Sequence, residues 1–327
     1  MGNAIQTDIK KTAQPMASGS KSLANKIWRQ KSLLILMIPG IIYFIVFHYI
    51  PMYGLVISFK DFDVFEGIFN SPWVGLKHFK FFSSLPYFWQ VVGITLKVSV
   101  LKLATGFFCP IILALLLNEL QAKVFKRVVQ TISYLPHFLS WVVITGIVFQ
   151  LLSNSYGLYG YLCNLFNWTN PQIILQTENG FMATLLISNI WKEIGYGSII
   201  YLATISGISP ELYESAVIDG AGRFRQCISI TLPSMSTIIA IMLVLSMGGL
   251  LGGSFEQIYN LRNPIVAPAF ETIDIYVLGL ARLDGSGGGD PQYSLSAAVG
   301  FARSAISMIL VLSCNWIVGK FAKYSAF

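Results

Sequence analysis

Residues 89–118 read WQVVGITLKVSVLKLATGFFCPIILALLLN, a stretch of 30 residues with only two charged side chains, Lys97 and Lys102. As a helix that rises 1.5 Å per residue, this stretch is about 45 Å long, which exceeds the roughly 30 Å hydrocarbon core of a bilayer. Its length and apolar character together predict a membrane-spanning helix.

The whole chain has the composition of a membrane protein. Of its 327 residues, 54% are hydrophobic and 11% are charged, and the mean hydropathy is +0.64. A soluble domain has roughly 25% charged residues. The net charge of +7 is also typical of nucleic-acid-binding proteins, but basic residues of a membrane protein gather on its cytoplasmic side. We therefore expect a lipid environment and no nucleic-acid partner.

Five more stretches follow the same pattern, so the sequence predicts an all-α, polytopic protein with about six transmembrane helices. Prolines inside them indicate kinks in a helix bundle, since neighbouring helices can satisfy the freed backbone groups. The predicted spans are approximately 33–58, 89–118, 128–152, 180–206, 233–253 and 294–319.

The distribution of Lys and Arg predicts the orientation. With the amino terminus inside, 13 basic residues fall on the cytoplasmic side and five on the other, which places both termini in the cytoplasm. The tails are then 1–32 and 320–327, and the membrane domain is 33–319. The 13 are Lys10, Lys11, Lys21, Lys26, Arg29, Lys31, Lys123, Lys126, Arg127, Arg223, Arg225, Lys320 and Lys323, and the five are Lys60, Lys77, Lys80, Arg262 and Arg282.

The sequence shows no residue pattern that is typical of a metal site or a catalytic site. The four cysteines, Cys109, Cys163, Cys227 and Cys314, are scattered, as are the three histidines, so we expect no disulfide and no metal site. The glycine run within 284–291 lacks the Gly-Lys-Ser/Thr ending of a phosphate loop and predicts a flexible external loop. We expect no catalytic residues, no ATPase activity and no cofactor in this chain.

A short helix is predicted between the fourth and fifth spans. Ser209-Pro210-Glu211 has the features of a helix start, with Ser as N-cap, and Gly220 allows a turn at the end. The residues by themselves leave open whether this is simply an amphipathic helix at the membrane surface.

A motif within this segment resembles a known family. Glu214-Ser215-Ala216, Gly220 and Ile230-Thr231-Leu232-Pro233 have the spacing of the Glu-Ala-Ala…Gly…Ile-x-Leu-Pro motif of binding-protein-dependent ABC importer permeases, with Ser215 replacing the middle Ala. The resemblance implies a type I ABC importer permease fold in a bacterial inner membrane, and a coupling-helix loop at 207–232. It implies that an ATPase subunit is contacted by Glu214, Ser215, Ala216, Asp219, Gly220 and Ala221.

The likeness extends over nearly the whole chain. His48–Gly54, Ser71–Gly75 and Tyr134–Phe138 resemble the polysaccharide branch of these permeases, which includes the permeases of the bacterial alginate importer. This implies transport of an oligosaccharide. It also implies a second homologous permease, two ATPase subunits that bind ATP and Mg²⁺, and an external solute-binding protein as partners.

Charges within the spans indicate the cargo. Lys97, Lys102, Lys192 and Arg303 lie near mid-membrane, where we expect them, with Trp191 and Glu193, to line a cationic translocation path suited to an acidic, alginate-like oligosaccharide. Two alternatives remain open for these cations: Lys side chains that snorkel or bind carbonyls, and a pair of Lys192 or Arg303 with Glu193.

Three other functions are also consistent with parts of the sequence. The nearest is a permease for neutral oligosaccharides. A self-contained secondary transporter would use the buried charges as an ion relay but needs no coupling motif. A membrane-bound polysaccharide-processing enzyme lacks a pair of catalytic carboxylates and ranks last.

Overall fold

The computed structural model describes residues 30–168, 172–283 and 290–322. Most of the predicted tails and the glycine run lie outside these ranges. The described part is helical, without strands, which confirms the all-α prediction. Its α-helices are α1 (Lys31–Phe44), α2 (Gly67–Asn70), α3 (Lys77–Ser84), α4 (Pro86–Glu119), α5 (Lys123–Tyr134), α6 (Trp141–Leu152), α7 (Leu158–Leu165), α8 (Glu178–Ser206), α9 (Pro210–Ile218), α10 (Arg223–Gln226), α11 (Leu232–Gly248), α12 (Phe255–Leu261), α13 (Ile273–Leu280) and α14 (Tyr293–Ala322).

Four helical segments in the described ranges are long and apolar enough to cross a membrane. A fifth is obtained if the bent pair α5 and α6 forms one span. Helix α8 has the length for a sixth, but Asn189, Lys192 and Glu193 make its centre too polar to meet the same criterion. The count of six therefore stays a prediction. The four segments are Leu34–Phe59, Pro86–Glu119, Arg223–Gly248 and Tyr293–Lys320.

The predicted third span, 128–152, is not one straight helix. Helix α5 continues as a 3-10 turn over Leu135–Phe138, and the chain then bends by 107° before α6. Pro136 has no N–H to donate, which favours a break at this place. Ser140 then caps α6, because its hydroxyl accepts a 3.3 Å hydrogen bond from the Val143 N–H.

The first span belongs to a separate compact unit, residues 1–56. Helix α1 continues there through a π-helical turn, Ile45–Tyr49, and a short α-helical turn, Ile50–Met52, which a 3-10 helix, Tyr53–Phe59, follows. None of the described side chains in this unit is buried, although nearly all of them are apolar. A helix that is hydrophobic on every side is typical of a membrane span.

Residues 57–327 form the second unit, which contains three buried apolar clusters. Helices α4 and α8 pack along each other, and α5 crosses α8 at Gly195. A Cβ at Gly195 would lie 2.0 Å from the Ser133 carbonyl oxygen, so only glycine allows this close backbone contact. The crossing positions the break after α5 beside the middle of α8.

The two long predicted external connections contain folded structure. In 254–293, helices α12 and α13 pack into the clusters and bury Gln257, Ile258 and Leu261. In 59–88, the Lys77 ammonium donates a 2.8 Å hydrogen bond to the Asp61 carboxylate and holds the pKa of that carboxyl below its usual value. Both connections are therefore more than simple loops.

Candidate functional site

A polar cavity of about 310 Å³ lies between α4, α8, α11 and the turn after α11. Its volume exceeds that of a single buried water many times over. Both a cation and a carboxylate border it, so it combines charge with hydrogen-bonding groups. The polar side chains of its lining are Ser99, Lys102, Asn189, Glu193, Tyr196, Ser246 and Ser254.

Lys102 is the cation of this cavity. Its side chain comes from α4 and is only 9% exposed. Among the described residues, the Lys102 ammonium donates one hydrogen bond, a long one of 3.4 Å to the Gly253 carbonyl oxygen, and it lies 5.7 Å from the centre of the Trp141 ring. A buried ammonium group can donate three hydrogen bonds. The Lys102 ammonium, which borders the cavity, can therefore donate further hydrogen bonds.

Lys192 has a different role. Its ammonium donates hydrogen bonds of 2.7 Å and 2.6 Å to the carbonyl oxygens of His137 and Leu139, and it lies 5.6 Å from the Trp141 ring. These carbonyls stand at the break between α5 and α6, where the helical hydrogen bonds stop. Irregular backbone at membrane depth needs such partners. Of the alternatives for Lys192, the structure shows the pairing with carbonyls.

Glu193 pairs with neither Lys192 nor Arg303. Its carboxylate lies 2.9 Å from Nδ1 of His137. The His137 ring in turn stacks on Tyr196, with ring centres 3.9 Å apart and planes 1° apart. This arrangement orients the carboxylate at the edge of the cavity, and the alternative that pairs Glu193 with Lys192 or Arg303 is not the one that the structure shows.

The remaining predicted residues lie elsewhere. Arg303 forms an ion pair with Asp274 of α13 beside a second cavity of about 280 Å³. Lys97 is exposed, and Trp191 borders an apolar groove between α6 and α8. The carboxylate that pairs with this span cation therefore comes from the folded connection 254–293. Of the six predicted path residues, only Lys102 and Glu193 border the polar cavity.

The predicted coupling segment contains a short helix. Helix α9 covers Pro210–Ile218, and Ser209 has the backbone conformation of an N-cap, although its side chain makes no capping hydrogen bond. Gly220 follows with φ of +77°. The N–H groups of Gly220 and Ala221 donate to the carbonyls of Val217 and Ala216, which is the Schellman arrangement that ends many helices.

The side chains of this segment divide into exposed and anchored ones. Glu214, Ser215, Asp219 and Gly220 are exposed, whereas Ala216 and Ala221 are half-buried. Tyr213, on the other side of α9, places its hydroxyl 2.9 Å from Oγ1 of Thr231. One face of α9 is therefore tied to the membrane domain, while the motif carboxylate points to solvent.

Several residues of these two places were not predicted. His137 is one of three scattered histidines that show no ligand pattern, and Asp274 lies outside the predicted spans. Thr231 belongs to the quoted motif and Tyr213 directly precedes it, but the sequence predicts no role for either. The break was indicated locally by Pro136 and by the N-cap residue Ser140, but its contact with α8 was not.

The sequence of this chain is similar to those of known transport proteins. Residues 106–323 match the family described as binding-protein-dependent transport system inner membrane component. The polygalacturonan/rhamnogalacturonan transport system permease protein YteP of Bacillus subtilis (strain 168) is 41% identical over 303 residues, which cover 93% of this chain and 92% of YteP.

Two solved structures are similar over nearly the whole length. The first is a bacterial ABC transporter involved in the import of the acidic polysaccharide alginate, with a TM-score of 0.81, 35% identity and coverage of 92% of this chain and 99% of that chain. The second is a bacterial alginate ABC transporter in complex with an alginate pentasaccharide-bound periplasmic protein, with a TM-score of 0.81, 34% identity and coverage of 92% and 98%.

Proposed function

The chain belongs to the family of binding-protein-dependent transport system inner membrane components, and we propose that it is a permease subunit of an ATP-driven oligosaccharide importer. It pairs with a second permease and with two ATPase subunits, which bind ATP and Mg²⁺. An external solute-binding protein delivers the sugar. Both termini lie in the cytoplasm, and the polar cavity forms part of the path across the membrane.

The coupling segment carries this proposal. Helix α9 presents Glu214 to solvent, and beside it Leu212, Val217 and Ile218 are also exposed, the last to 85%. A carboxylate among apolar side chains at the end of a short helix is suited to dock into a cleft of another protein. A secondary transporter needs no such surface, so α9 favours an ATPase partner.

The proposed cargo is an acidic oligosaccharide. Lys102 is buried at the cavity, with its one hydrogen bond a long one among the described residues, while Glu193 is already paired with His137. A charge at the centre of a membrane span costs about 2.5–3.5 kcal/mol on insertion scales. A carboxylate of the cargo compensates for this cost when it passes the Lys102 ammonium. The similarity to an importer of an acidic polysaccharide supports the same class.

A cavity with a single cation also suits transport better than a cavity with several cations, which would bind the cargo tightly. Transport needs binding that is strong enough for entry and weak enough for release. Neither Arg303, which pairs with Asp274, nor Lys192, whose ammonium binds two carbonyls, lines this cavity. The cargo therefore meets one attractive point charge and is not held by several.

Reconstitution tests the proposal. The permease pair, the ATPases and the solute-binding protein are placed in proteoliposomes, and uptake of acidic and neutral oligosaccharides of equal length is measured with and without ATP. We expect ATP-dependent uptake that is faster for the acidic sugar. Uptake driven by an ion gradient without ATPases would support a secondary transporter, and equal rates for both sugars would support a neutral cargo.

A further inference from the structure

A partly buried hydrogen bond joins α9 to the start of α11. The hydroxyl of Tyr213, a half-buried side chain of α9, lies 2.9 Å from Oγ1 of Thr231. Thr231 is only 3% exposed and stands directly before α11. Because water reaches Thr231 poorly, its hydroxyl depends on Tyr213 for this hydrogen bond. The pair joins the two helices across 18 residues of sequence.

Thr231 is the last residue of a π-helical turn, Cys227–Thr231. Single π-helical turns in membrane and soluble helices mark places where the hydrogen-bond ladder is irregular. Pro233 follows in the first turn of α11 and has no N–H to strengthen the ladder. A cavity of about 320 Å³ borders Cys227 and Thr231 on the side of α4. The start of α11 therefore has both a weakened backbone and room to move.

A second connection to this region is weaker. Arg223, at the start of α10, forms a 2.9 Å ion pair with Glu119 at the end of α4. The two side chains are 64% and 47% exposed. Exposed ion pairs of this kind contribute little, since water and salt screen them. The partly buried hydroxyl pair is the better candidate for holding α9 against the membrane domain.

We propose that Tyr213 is a positioning residue that transmits movement of α9 to α11 through its hydrogen bond to Thr231. The inference rests on the proposed function, because it assumes that α9 is the coupling helix. When the ATPase shifts α9, the hydrogen bond from Tyr213 displaces Thr231, and the π-helical turn before α11 changes its conformation. Since α11 borders the polar cavity, its movement changes the cargo path.

The test removes each hydroxyl with little change of volume. In the reconstituted complex, Tyr213→Phe and Thr231→Val are compared with Thr231→Ser, which retains the hydroxyl. The readout is the ratio of ATP hydrolysis with loaded solute-binding protein to hydrolysis without it. We expect Tyr213→Phe and Thr231→Val each to lower this ratio about three- to tenfold, the range expected for one net hydrogen bond, and Thr231→Ser to retain it.

Two controls separate transmission from folding. Thr204→Val removes a hydroxyl that bonds to the Ile200 carbonyl within its own helix, so the ratio is expected to stay unchanged. The double variant Tyr213→Phe/Thr231→Val is expected to lower the ratio no further than either single variant, because both remove the same bond. Additive losses, or an equal loss in Thr204→Val, would overturn the inference. If Thr231→Val does not assemble, Tyr213→Phe and Thr231→Ser decide.

Gly220→Leu distinguishes this inference from the proposed function. A Cβ at this position would have no described atom of this chain within 4 Å, so a docked partner is what the new side chain is expected to meet, and its positive φ adds local strain. If Gly220→Leu abolishes stimulation while Tyr213→Phe and Thr231→Val behave normally, the transmission route alone is wrong. If Gly220→Leu also behaves normally, α9 is not the coupling helix and the proposed function loses its main support.

Discussion

Replacing Lys102 by Met removes the cation of the cavity while retaining a long, flexible side chain. The change loses one 3.4 Å hydrogen bond to the Gly253 carbonyl and a contact with the Trp141 ring, so we expect the folded complex to remain. Lys97→Met is the matched control. It removes the same charge from the same helix at an exposed position.

The size of the effect follows from the geometry of the cavity. Two opposite charges 4 Å apart interact by about 4 kcal/mol at an effective dielectric constant of 20, which is an upper value in a site that admits water. A hydrogen bond to a charged group contributes about 1.5–3 kcal/mol. Since 1.4 kcal/mol corresponds to a factor of ten, we expect kcat/KM for an acidic oligosaccharide to fall roughly 10- to 150-fold. For a neutral oligosaccharide we expect a change of about twofold or less, because no carboxylate loses a partner.

The assay measures initial uptake rates in proteoliposomes, normalised to folded complex, with acidic and neutral sugars of the same length. The ratio of the two rates is the quantity of interest, since a general loss of activity cancels in it. Equal losses for both sugars would refute the reasoning that Lys102 recognises a carboxylate. The same selective loss in Lys97→Met would show that only the overall potential of the membrane domain matters.

Three further predictions follow from the structure. Lys192→Met leaves two backbone carbonyls at the helix break without their partner, so it should destabilise the complex by about 2–5 kcal/mol, which thermal unfolding measures. It should also reduce transport of every sugar alike, and a sugar-selective loss would contradict this structural role. Gly195→Ala should lower the unfolding temperature by several degrees, because the Cβ of the new alanine would lie 2.0 Å from the carbonyl oxygen of Ser133. An unchanged unfolding temperature would contradict this close contact between α5 and α8. In a variant without the four native cysteines, a single cysteine placed in 119–127 should react with an impermeant reagent added on the cytoplasmic side, and one placed in 59–88 with the reagent added outside. The reverse pattern would overturn the predicted orientation.

Much of the fold was predictable because its causes are local. Thirty residues with two charges predict a span wherever they occur, and α4 covers the predicted 89–118 almost residue for residue. The end of α9 was likewise predictable, since a positive φ favours Gly220. The bend of 107° in the third span was only partly predictable. Pro136 indicates a break, but the angle depends on how α5 packs against Gly195.

The candidate site was less predictable, because a cation in a span has several ways to be satisfied. Lys102 and Lys192 have the same chemistry and similar depth in the sequence prediction. In the structure, Lys192 reaches two carbonyls at a helix break, whereas Lys102 reaches one carbonyl at a long distance. The sequence pattern does not distinguish these two outcomes, since it does not show which backbone groups lie within reach.

The sequence by itself determined that this chain is a helical membrane protein with the motif of binding-protein-dependent importer permeases, because apolar length, charge bias and motif spacing are properties of consecutive residues. The tertiary structure decided which of the span charges are paired and which border the cavity. Lys102 meets Gly253 from 151 residues away, and Arg303 is neutralised by Asp274 of a folded connection. Such pairings depend on the rotation and crossing of whole helices, and each buried charge binds the nearest acceptor that this packing offers.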